Sequence, residues 1–167
     1  MKLFLTLSAF LILNSCNLFA QWLPEYRLTN SAGFSVNTAI TSNENYIHIV
    51  WQETRDGNQE IYYKRSTDDG LSWETDIRLT NTLGISSVPS ISISGTFVYV
   101  VWSDFLNGNS EIYFKRSSDN GVTWGGDTQL TNNASVSTNP NISASGQFIQ
   151  LIWRDVSNGF FEIFHKH

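Results

Sequence analysis

Short runs of β-branched and aromatic residues, each preceded by a polar or glycine-containing break, recur along the chain at a fixed interval. A tryptophan closes three of these runs, at Trp51, Trp102 and Trp153, which sets the interval at 51 residues. The composition of the runs predicts one central, largely buried strand in each repeat. These strands are predicted at residues 46–51, 97–102 and 148–153. Self-similarity at this period is typical of propeller blades and solenoid units.

The remainder of each repeat predicts three more strands. An Asp-Gly or Asn-Gly turn follows each tryptophan, and a Glu-Ile-Tyr or Glu-Ile-Phe segment then returns antiparallel to the central strand. A preceding stretch and the Arg-Leu-Thr segment complete four strands. No helical period of useful length appears. The prediction is an all-β chain of about three four-stranded antiparallel β-propeller blades. The turns are Asp56-Gly57, Asn107-Gly108 and Asn158-Gly159, and the preceding stretches are residues 38–42, 89–93 and 140–144.

Residues 1–20 have the features of a secretory signal: Lys2, an apolar run, and a small-residue site that ends at Ala20. The apolar run is too short to cross a bilayer, which takes about 20 residues. We expect cleavage after Ala20, so that the blades occupy residues 21–167 in a secreted or cell-surface protein, extracellular or periplasmic in a bacterium. Lipidation of Cys16 is the alternative, because the residues before it loosely resemble a bacterial lipobox, with Asn14 as a departure.

Composition excludes several functional classes. The formal net charge is −5 and the Lys and Arg residues are scattered, which argues against nucleic acid or a membrane surface as the partner. Cys16 is the single cysteine, so residues 21–167 have no disulfide and depend on sheet packing. The three histidines lack metal-ligand spacing, and we expect no metal and no cofactor.

An eight-residue motif, Ser-x-Asp-x-Gly-x-Ser/Thr-Trp, occurs twice at the repeat interval and is the Asp box. We expect its aspartate to accept hydrogen bonds within its own turn, its glycine to supply a positive φ, and its tryptophan to cover the blade edge. Identical turns repeated around a propeller point in different directions, so we interpret them as structural and not catalytic. The motif residues are Ser66, Asp68, Gly70 and Trp73 in one copy and Ser117, Asp119, Gly121 and Trp124 in the other.

With these motifs, residues 22–167 resemble the bacterial neuraminidase repeat, or sialidase-like, β-propeller family. The resemblance implies a six-bladed propeller with its Asp boxes opposite the active site. In the family's enzymes it implies hydrolysis of terminal sialic acids by an arginine triad, a tyrosine nucleophile assisted by a glutamate, and an aspartate acid/base. The catalytic set does not carry over. The usual Arg-Ile-Pro segment is absent, and Arg27 lies on a repeated outer strand.

Five residues are candidates for ligand contacts. Glu53, Asp104 and Asp155 each follow a blade tryptophan by two residues, at the start of a loop that in this family lies on the ligand-binding face. They are expected either to line a shared rim or to cap their own turns. Arg55 and Arg154 have no arginine at the corresponding positions of the other repeats. They are therefore either ligand contacts or solvated loop residues.

The number of blades bears on the assembly. Closed propellers contain about four to eight blades, and residues 21–167 contain three. The next Asp box is due at position 168, so the expectation is a longer protein with further blades, in which residues 22–30 form the outer strand that closes the ring. The alternative is a homodimer that completes a six-bladed ring.

The function that we predict from the sequence is binding without catalysis, with a glycan or another extracellular partner as the ligand. The alternative is an exo-α-sialidase or related glycoside hydrolase with catalytic residues partly outside this chain. A structural spacer in a surface protein is a third, weaker possibility.

Secretion is directly testable. We expect the exported protein to begin at Gln21, because the segment before it has the composition that signal peptidases recognise. Intact-mass measurement of the exported protein checks this. A mass that still includes residues 1–20 would contradict it, and a diacylglycerol adduct on Cys16 would select the lipoprotein alternative.

Overall fold

The computed structural model describes residues 24–106 and 108–167, and this part of the chain contains strands and no helix. The predicted signal segment, Cys16 and Asn107 lie outside the described residues. The strands are β1 (Ser35–Asn43), β2 (Tyr46–Glu53), β3 (Glu60–Ser66), β4 (Ile77–Arg78), β5 (Ile85–Ser94), β6 (Phe97–Leu106), β7 (Asn109–Ser117), β8 (Thr128–Gln129), β9 (Thr138–Ser145), β10 (Phe148–Ser157) and β11 (Phe160–Lys166).

The strands form three antiparallel sheets in which spatial order follows chain order. The first two sheets are β1-β2-β3-β4 and β5-β6-β7-β8, and the third is β9-β10-β11. The prediction of an all-β chain of antiparallel propeller blades is therefore confirmed. In the described residues the third blade has three strands.

Aromatic pairs between the second and third strands explain why the tryptophans repeat together with the Glu-Ile-Tyr and Glu-Ile-Phe segments. In each blade the tryptophan lies directly opposite an aromatic residue of the next strand. The ring centroids are 6.0, 6.0 and 5.8 Å apart. Such cross-strand pairs stabilise the sheet and fix its register. The pairs are Trp51 with Tyr62, Trp102 with Tyr113, and Trp153 with Phe164.

The first strand of every blade contains a β-bulge. The register shifts between Val36 and Ala39 in the first blade and at the corresponding places in the other two. Asn37, Val88 and Asn139, spaced 51 residues apart, have φ angles of 52°, 51° and 54°. Asparagine tolerates this conformation, whereas a β-branched valine is strained in it. The sequence analysis predicted that these strands begin only after the bulge, because a bulge interrupts the two-residue alternation of side chains.

The outer strands are shorter than predicted and are shifted toward the N-terminus. Ile77–Arg78 pairs with β3, but the ladder ends before Thr80, whose hydroxyl accepts the Ile61 N–H at 2.8 Å. A side chain thus takes the place of a backbone partner. The predicted outer strand within residues 22–30 has no strand assignment over residues 24–30, because no described strand pairs with it.

The core lies between blades. Two clusters of buried apolar side chains join neighbouring blades, and each draws most of its members from the second and third strands of one blade and the first two strands of the next. The cluster between blades one and two consists of Val50, Ile61, Tyr63, Leu79, Ile91, Val98, Val100 and Trp102. The cluster between blades two and three consists of Tyr99, Val101, Ile112, Ile142, Leu151 and Trp153.

Each Asp box is a closed hydrogen-bonded turn that lies beside the turn between the first two strands. Asp68 accepts hydrogen bonds from the Ser72 N–H at 2.8 Å and the Ser72 hydroxyl at 2.6 Å. Asp119 accepts the corresponding bonds from Thr123 at 2.9 and 2.6 Å. These bonds, first those from Thr123 and then that from Ser117, lower the pKa of Asp119 to about 2. Both carboxylate oxygens are thus engaged within the turn.

His48 is a buried titratable group between the first two blades. Its Nδ1 lies 2.6 Å from the Tyr63 hydroxyl, and its Nε2 is buried with no hydrogen-bond partner among the described residues. Burial, and next the positive charge of Arg65, lower the pKa of His48 to about 4, against a smaller opposing effect of Glu74. The folded state therefore favours the neutral ring.

We expect His48 to make the fold sensitive to mild acid. Because its pKa is lower in the folded chain, stability is fully present above the ordinary value of about 6.5 and declines as the pH falls toward 4. His48→Gln, which copies Gln150 at the matching position of blade three, should flatten the melting temperature between pH 6.5 and 4.5. Equal slopes for the two proteins in thermal melts would contradict this assignment.

Candidate ligand-binding face

One end of the blades is formed by the turns after β2, β6 and β10 and by the segments that lead into β1, β5 and β9. We call this end the loop face. It is opposite the Asp boxes, because those turns lie at the other end of the strands. Its hairpin turns contain Gly57, Gly108 and Gly159, with φ angles of 85°, 87° and 83°, as the turn prediction required.

The predicted carboxylates lie beneath the loop face and are buried. Each accepts a hydrogen bond from the indole N–H of the tryptophan two residues earlier and from a serine hydroxyl at or just before the first strand of its own blade. The carboxylates are therefore anchored inside the blade by a strand tryptophan and a serine at its first strand, a set of partners that neither alternative of the sequence analysis specified. The bonds are Trp51 and Ser35 to Glu53 at 3.2 and 2.7 Å, Trp102 and Ser86 to Asp104 at 3.1 and 2.7 Å, and Trp153 and Ser137 to Asp155 at 3.4 and 2.8 Å.

Glu53 accepts more hydrogen bonds than Asp104 or Asp155 does. Besides these two bonds, it accepts hydrogen bonds from the Ser31 hydroxyl at 2.9 Å and from Arg55 at 3.1 Å. Burial raises the pKa of Glu53, but the bonds from Ser35, Trp51, Arg55 and Ser31 outweigh it and lower the pKa to about 2. Glu53 is therefore a fixed anion at neutral pH and not a proton donor or acceptor.

A second buried acid, Glu60, connects neighbouring blades at the same end of the strands. Glu60 accepts hydrogen bonds from Thr80 and from Arg78 at 2.5 and 2.9 Å. The Ser86 hydroxyl lies 3.4 Å from Glu60 and 2.7 Å from Asp104 of the next blade. The sequence interpretation of the repeated glutamates as blade architecture agrees with these contacts.

The backbone at Gly84 passes very close to Asp104. A Cβ at Gly84 would lie 2.5 Å from the Phe105 carbonyl oxygen and 2.6 Å from Asp104 Oδ1. Gly33 packs in the same way against Glu53. A glycine is therefore required where the chain crosses these two carboxylates.

The two arginines differ in their environment. Arg55 is tied to Glu53 and Asp76 at 3.1 and 2.8 Å, and its guanidinium lies 4.5 Å from the Tyr62 ring centroid. Arg154 is exposed and donates to Asn139 at 2.7 Å. It lies on the strand face of blade three that is not covered by a described blade. The structure does not bring the five candidates together in one open site.

Exposed apolar side chains also lie on the loop face, among its polar turn residues, and the sequence analysis missed them. One apolar residue per repeat precedes or begins the first strand, at the 51-residue interval. That recurrence was the available signal. Exposed apolar side chains that lie near one another are candidates for ligand contacts. The residues are Phe34, Ile85 and Val136, with Leu83 and Phe105 beside them.

Among residues 24–106 and 108–167, no group of three or more His, Cys, Asp or Glu side chains is placed to hold a metal ion. In the same residues no helix is long and apolar enough to cross a membrane.

Comparison with known proteins gives a shared fold at low sequence identity. The chain superimposes on the Trypanosoma rangeli sialidase in complex with sialic acid with a TM-score of 0.53 and 12% identity, covering 79% of this chain and 28% of the sialidase. It superimposes on an α-L-arabinofuranosidase from Podospora anserina in complex with cellotriose with a TM-score of 0.54 and 9% identity, covering 81% and 55%. The described blades therefore have a sialidase-like propeller fold.

Similarity in sequence covers a smaller part of the chain than similarity in structure does. No family model matches the chain. A curated relative, the protein TolB homolog of Chlorobaculum tepidum, is 39% identical over 67 residues, which cover 40% of this chain and 14% of that protein. The chain spans about one seventh of that relative and less than a third of the sialidase.

We expect Gly84→Ala to destabilise the fold. The added methyl must displace backbone or a buried carboxylate, and overpacking of this kind costs about 1–3 kcal/mol. Gly126→Ala is the matched control, because a Cβ there meets no atom within 4 Å. Urea unfolding of both variants measures the difference, and equal midpoints would contradict the close approach at Gly84.

Proposed function

We propose that this protein binds a glycan on its loop face and does not catalyse a reaction there. The observation that carries the proposal is the exposed apolar and aromatic surface formed by Phe34, Ile85 and Phe105, at the propeller end opposite the Asp boxes. Carbohydrate sites combine aromatic or apolar surface with a few polar groups, because each sugar ring has apolar C–H faces and hydroxyl edges.

The environment of the acids supports binding over catalysis. A glycosidase needs carboxyl groups that reach the scissile bond, one of them able to donate a proton. Glu53, Asp104 and Asp155 are buried and hold hydrogen bonds from their own blade. In this proposal they keep the tryptophans and the strand ends in place beneath the binding surface.

The structural neighbours supply the ligand class. The sialidase is described in complex with sialic acid and the arabinofuranosidase in complex with cellotriose. Both propellers hold carbohydrate, so a glycan is the first class of ligand to test here. We further propose that the protein is secreted or held at the cell surface, where glycans are the available ligands.

Glycan binding is tested with 3′-sialyllactose and cellotriose by isothermal titration calorimetry. We expect binding of at least one of them, and we expect Phe34→Ala combined with Phe105→Ala to weaken it about tenfold or more, because buried aromatic anchors dominate such interfaces. Phe148→Ala is the matched control, since Phe148 is exposed at the Asp-box end. Absence of binding to a glycan panel, or an equal effect of Phe148→Ala, would refute the proposal.

The alternative is a sialidase-type glycoside hydrolase, which the likeness to the Trypanosoma rangeli enzyme favours. A fluorogenic sialoside separates the two functions, and we expect no turnover. Turnover that is lost in Arg154→Ala or Asp104→Ala would establish the enzyme and overturn binding without catalysis.

A further inference from the structure

The two interblade interfaces in the structure are built alike. Ile61 of blade one packs with Leu79, which follows β4, and with Ile91 and Trp102 of blade two. Ile112 of blade two has the same neighbours 51 residues later, Leu130, Ile142 and Trp153. Each interface therefore joins the third strand of one blade to an entering segment, a first strand and a tryptophan of the next.

The two outer faces of the three-blade unit are the two halves of a third interface of this kind. Ile40 is 68% exposed, whereas its counterparts Ile91 and Ile142 are 6% and 5% exposed. On the opposite face Ile163 is 69% exposed, whereas its counterparts Ile61 and Ile112 are both 0% exposed. Burial of these two side chains against apolar neighbours would stabilise such a contact.

A groove lies in the first face, at the position where an interblade interface receives the third strand of the preceding blade. It has a volume of about 370 Å³ and is lined by Tyr26, Leu28, Ser35, Ile40, Ile49 and Trp51. Leu28, Ile40 and Trp51 correspond to the residues that contact Ile61 in the complete interface. The groove therefore corresponds to the site that Ile61, the counterpart of Ile163, occupies between blades one and two.

The free edge of β11 matches the segment beside this groove. In the first blade Leu79 donates its N–H to the Ile61 carbonyl, and Thr80 receives the Ile61 N–H and donates to Glu60. The corresponding groups are Leu28 and Thr29 on one face and Glu162 and Ile163 on the other. No described strand pairs with the free edge of β11.

The segment at residues 27–29 is already held in the conformation that pairing requires. Arg27 Nε donates to the Thr29 carbonyl at 2.7 Å, as Arg78 Nε does to Thr80 at 2.8 Å. The Lys64 amino group holds the Leu28 carbonyl at 2.8 Å, as Lys115 holds that of Leu79. Docking on β11 therefore needs no rearrangement of this segment.

We propose that a second copy of this chain docks on these faces, so that residues 27–29 of each copy form the outer strand of blade three in the other. Ile163 then occupies the groove of the second copy, and Glu162 receives hydrogen bonds from its Thr29 and Arg27. Two such contacts are related by a twofold axis, so the contact is self-complementary in the manner of a closed dimer.

One position departs from the pattern. Asn58 and Asn109 link their turns to the loop that enters the next blade, through hydrogen bonds to the Thr82 carbonyl at 3.2 Å and the Asn133 carbonyl at 2.9 Å. The corresponding residue of blade three is Phe160, which has no amide. Phe160 is exposed, and by the same register it faces residues 31–33 of the second copy. The proposed contact therefore lacks this amide link.

Size-exclusion chromatography with light scattering over a concentration series tests the assembly. We expect a dimer, and we expect Ile163→Asp to raise its dissociation constant at least about 100-fold, because the groove has no partner for a carboxylate. Leu83→Glu is the matched control, because Leu83 is fully exposed on the loop face and outside the contact. A monomeric wild-type protein, or a dimer that is equally sensitive to both changes, would overturn the proposal.

A disulfide test fixes the register and does not depend on the folding of Ile163→Asp. Tyr62 lies opposite Arg78 in the first blade, so Phe164 should lie opposite Arg27 of the second copy. In a Cys16→Ser background, Phe164→Cys with Arg27→Cys should give a covalent dimer on mild oxidation. Phe164→Cys with Leu83→Cys should not. Equal cross-linking of the two pairs, or none in the first, would contradict the register.

Discussion

The fold depends on the packing of neighbouring blades face to face. Successive residues of a strand point to opposite sides of the sheet, so Val50 packs toward the second blade while Trp51 packs on the other side with Ile49 and Tyr62. Both are at most 1% exposed. With no disulfide in residues 21–167, this packing between sheets supplies most of the stabilisation.

Buried acids set how neighbouring blades are aligned. An apolar face alone tolerates sliding, whereas a buried carboxylate must find its donors in one arrangement. Ser86 lies between Glu60 of the first blade and Asp104 of the second, so a shift of one blade against the other breaks both contacts. The close passage of Gly84 over Asp104 has the same basis, because any side chain there would separate the acid from its cluster.

The two ends of the blades have different roles. At one end the Asp boxes satisfy their own polar groups, which gives rigid turns with little left to offer a ligand. At the other end Glu53, Asp104 and Asp155 each accept hydrogen bonds from within their own blade, beneath exposed apolar side chains that include Phe34 and Leu83. The proposed binding at the loop face makes use of this difference between the two ends.

The sequence by itself determined the features that repeat. The 51-residue spacing of Trp51, Trp102 and Trp153, the glycine turns and the two-residue alternation of the strands report local backbone geometry, which each repeat specifies separately. These features were sufficient to predict the all-β class, the four-stranded blade and the positions of the hairpin turns. The bulges at Asn37 and Val88 were missed because they break the alternation, and the outer strands were misplaced because the Thr80 side chain replaces a backbone partner.

Only the tertiary structure decided what the candidate residues do. Glu53, Asp104 and Asp155 are acids beside a turn in the sequence, and nothing local shows whether they point to solvent or to an indole N–H. Their burial depends on serines about 18 residues away and on a glycine that crosses them. The exposure of Ile40 and Ile163, whose counterparts are buried, is likewise a property of which blade faces meet and not of the residues themselves. Contacts distant in the sequence determine both, and a local pattern does not encode them.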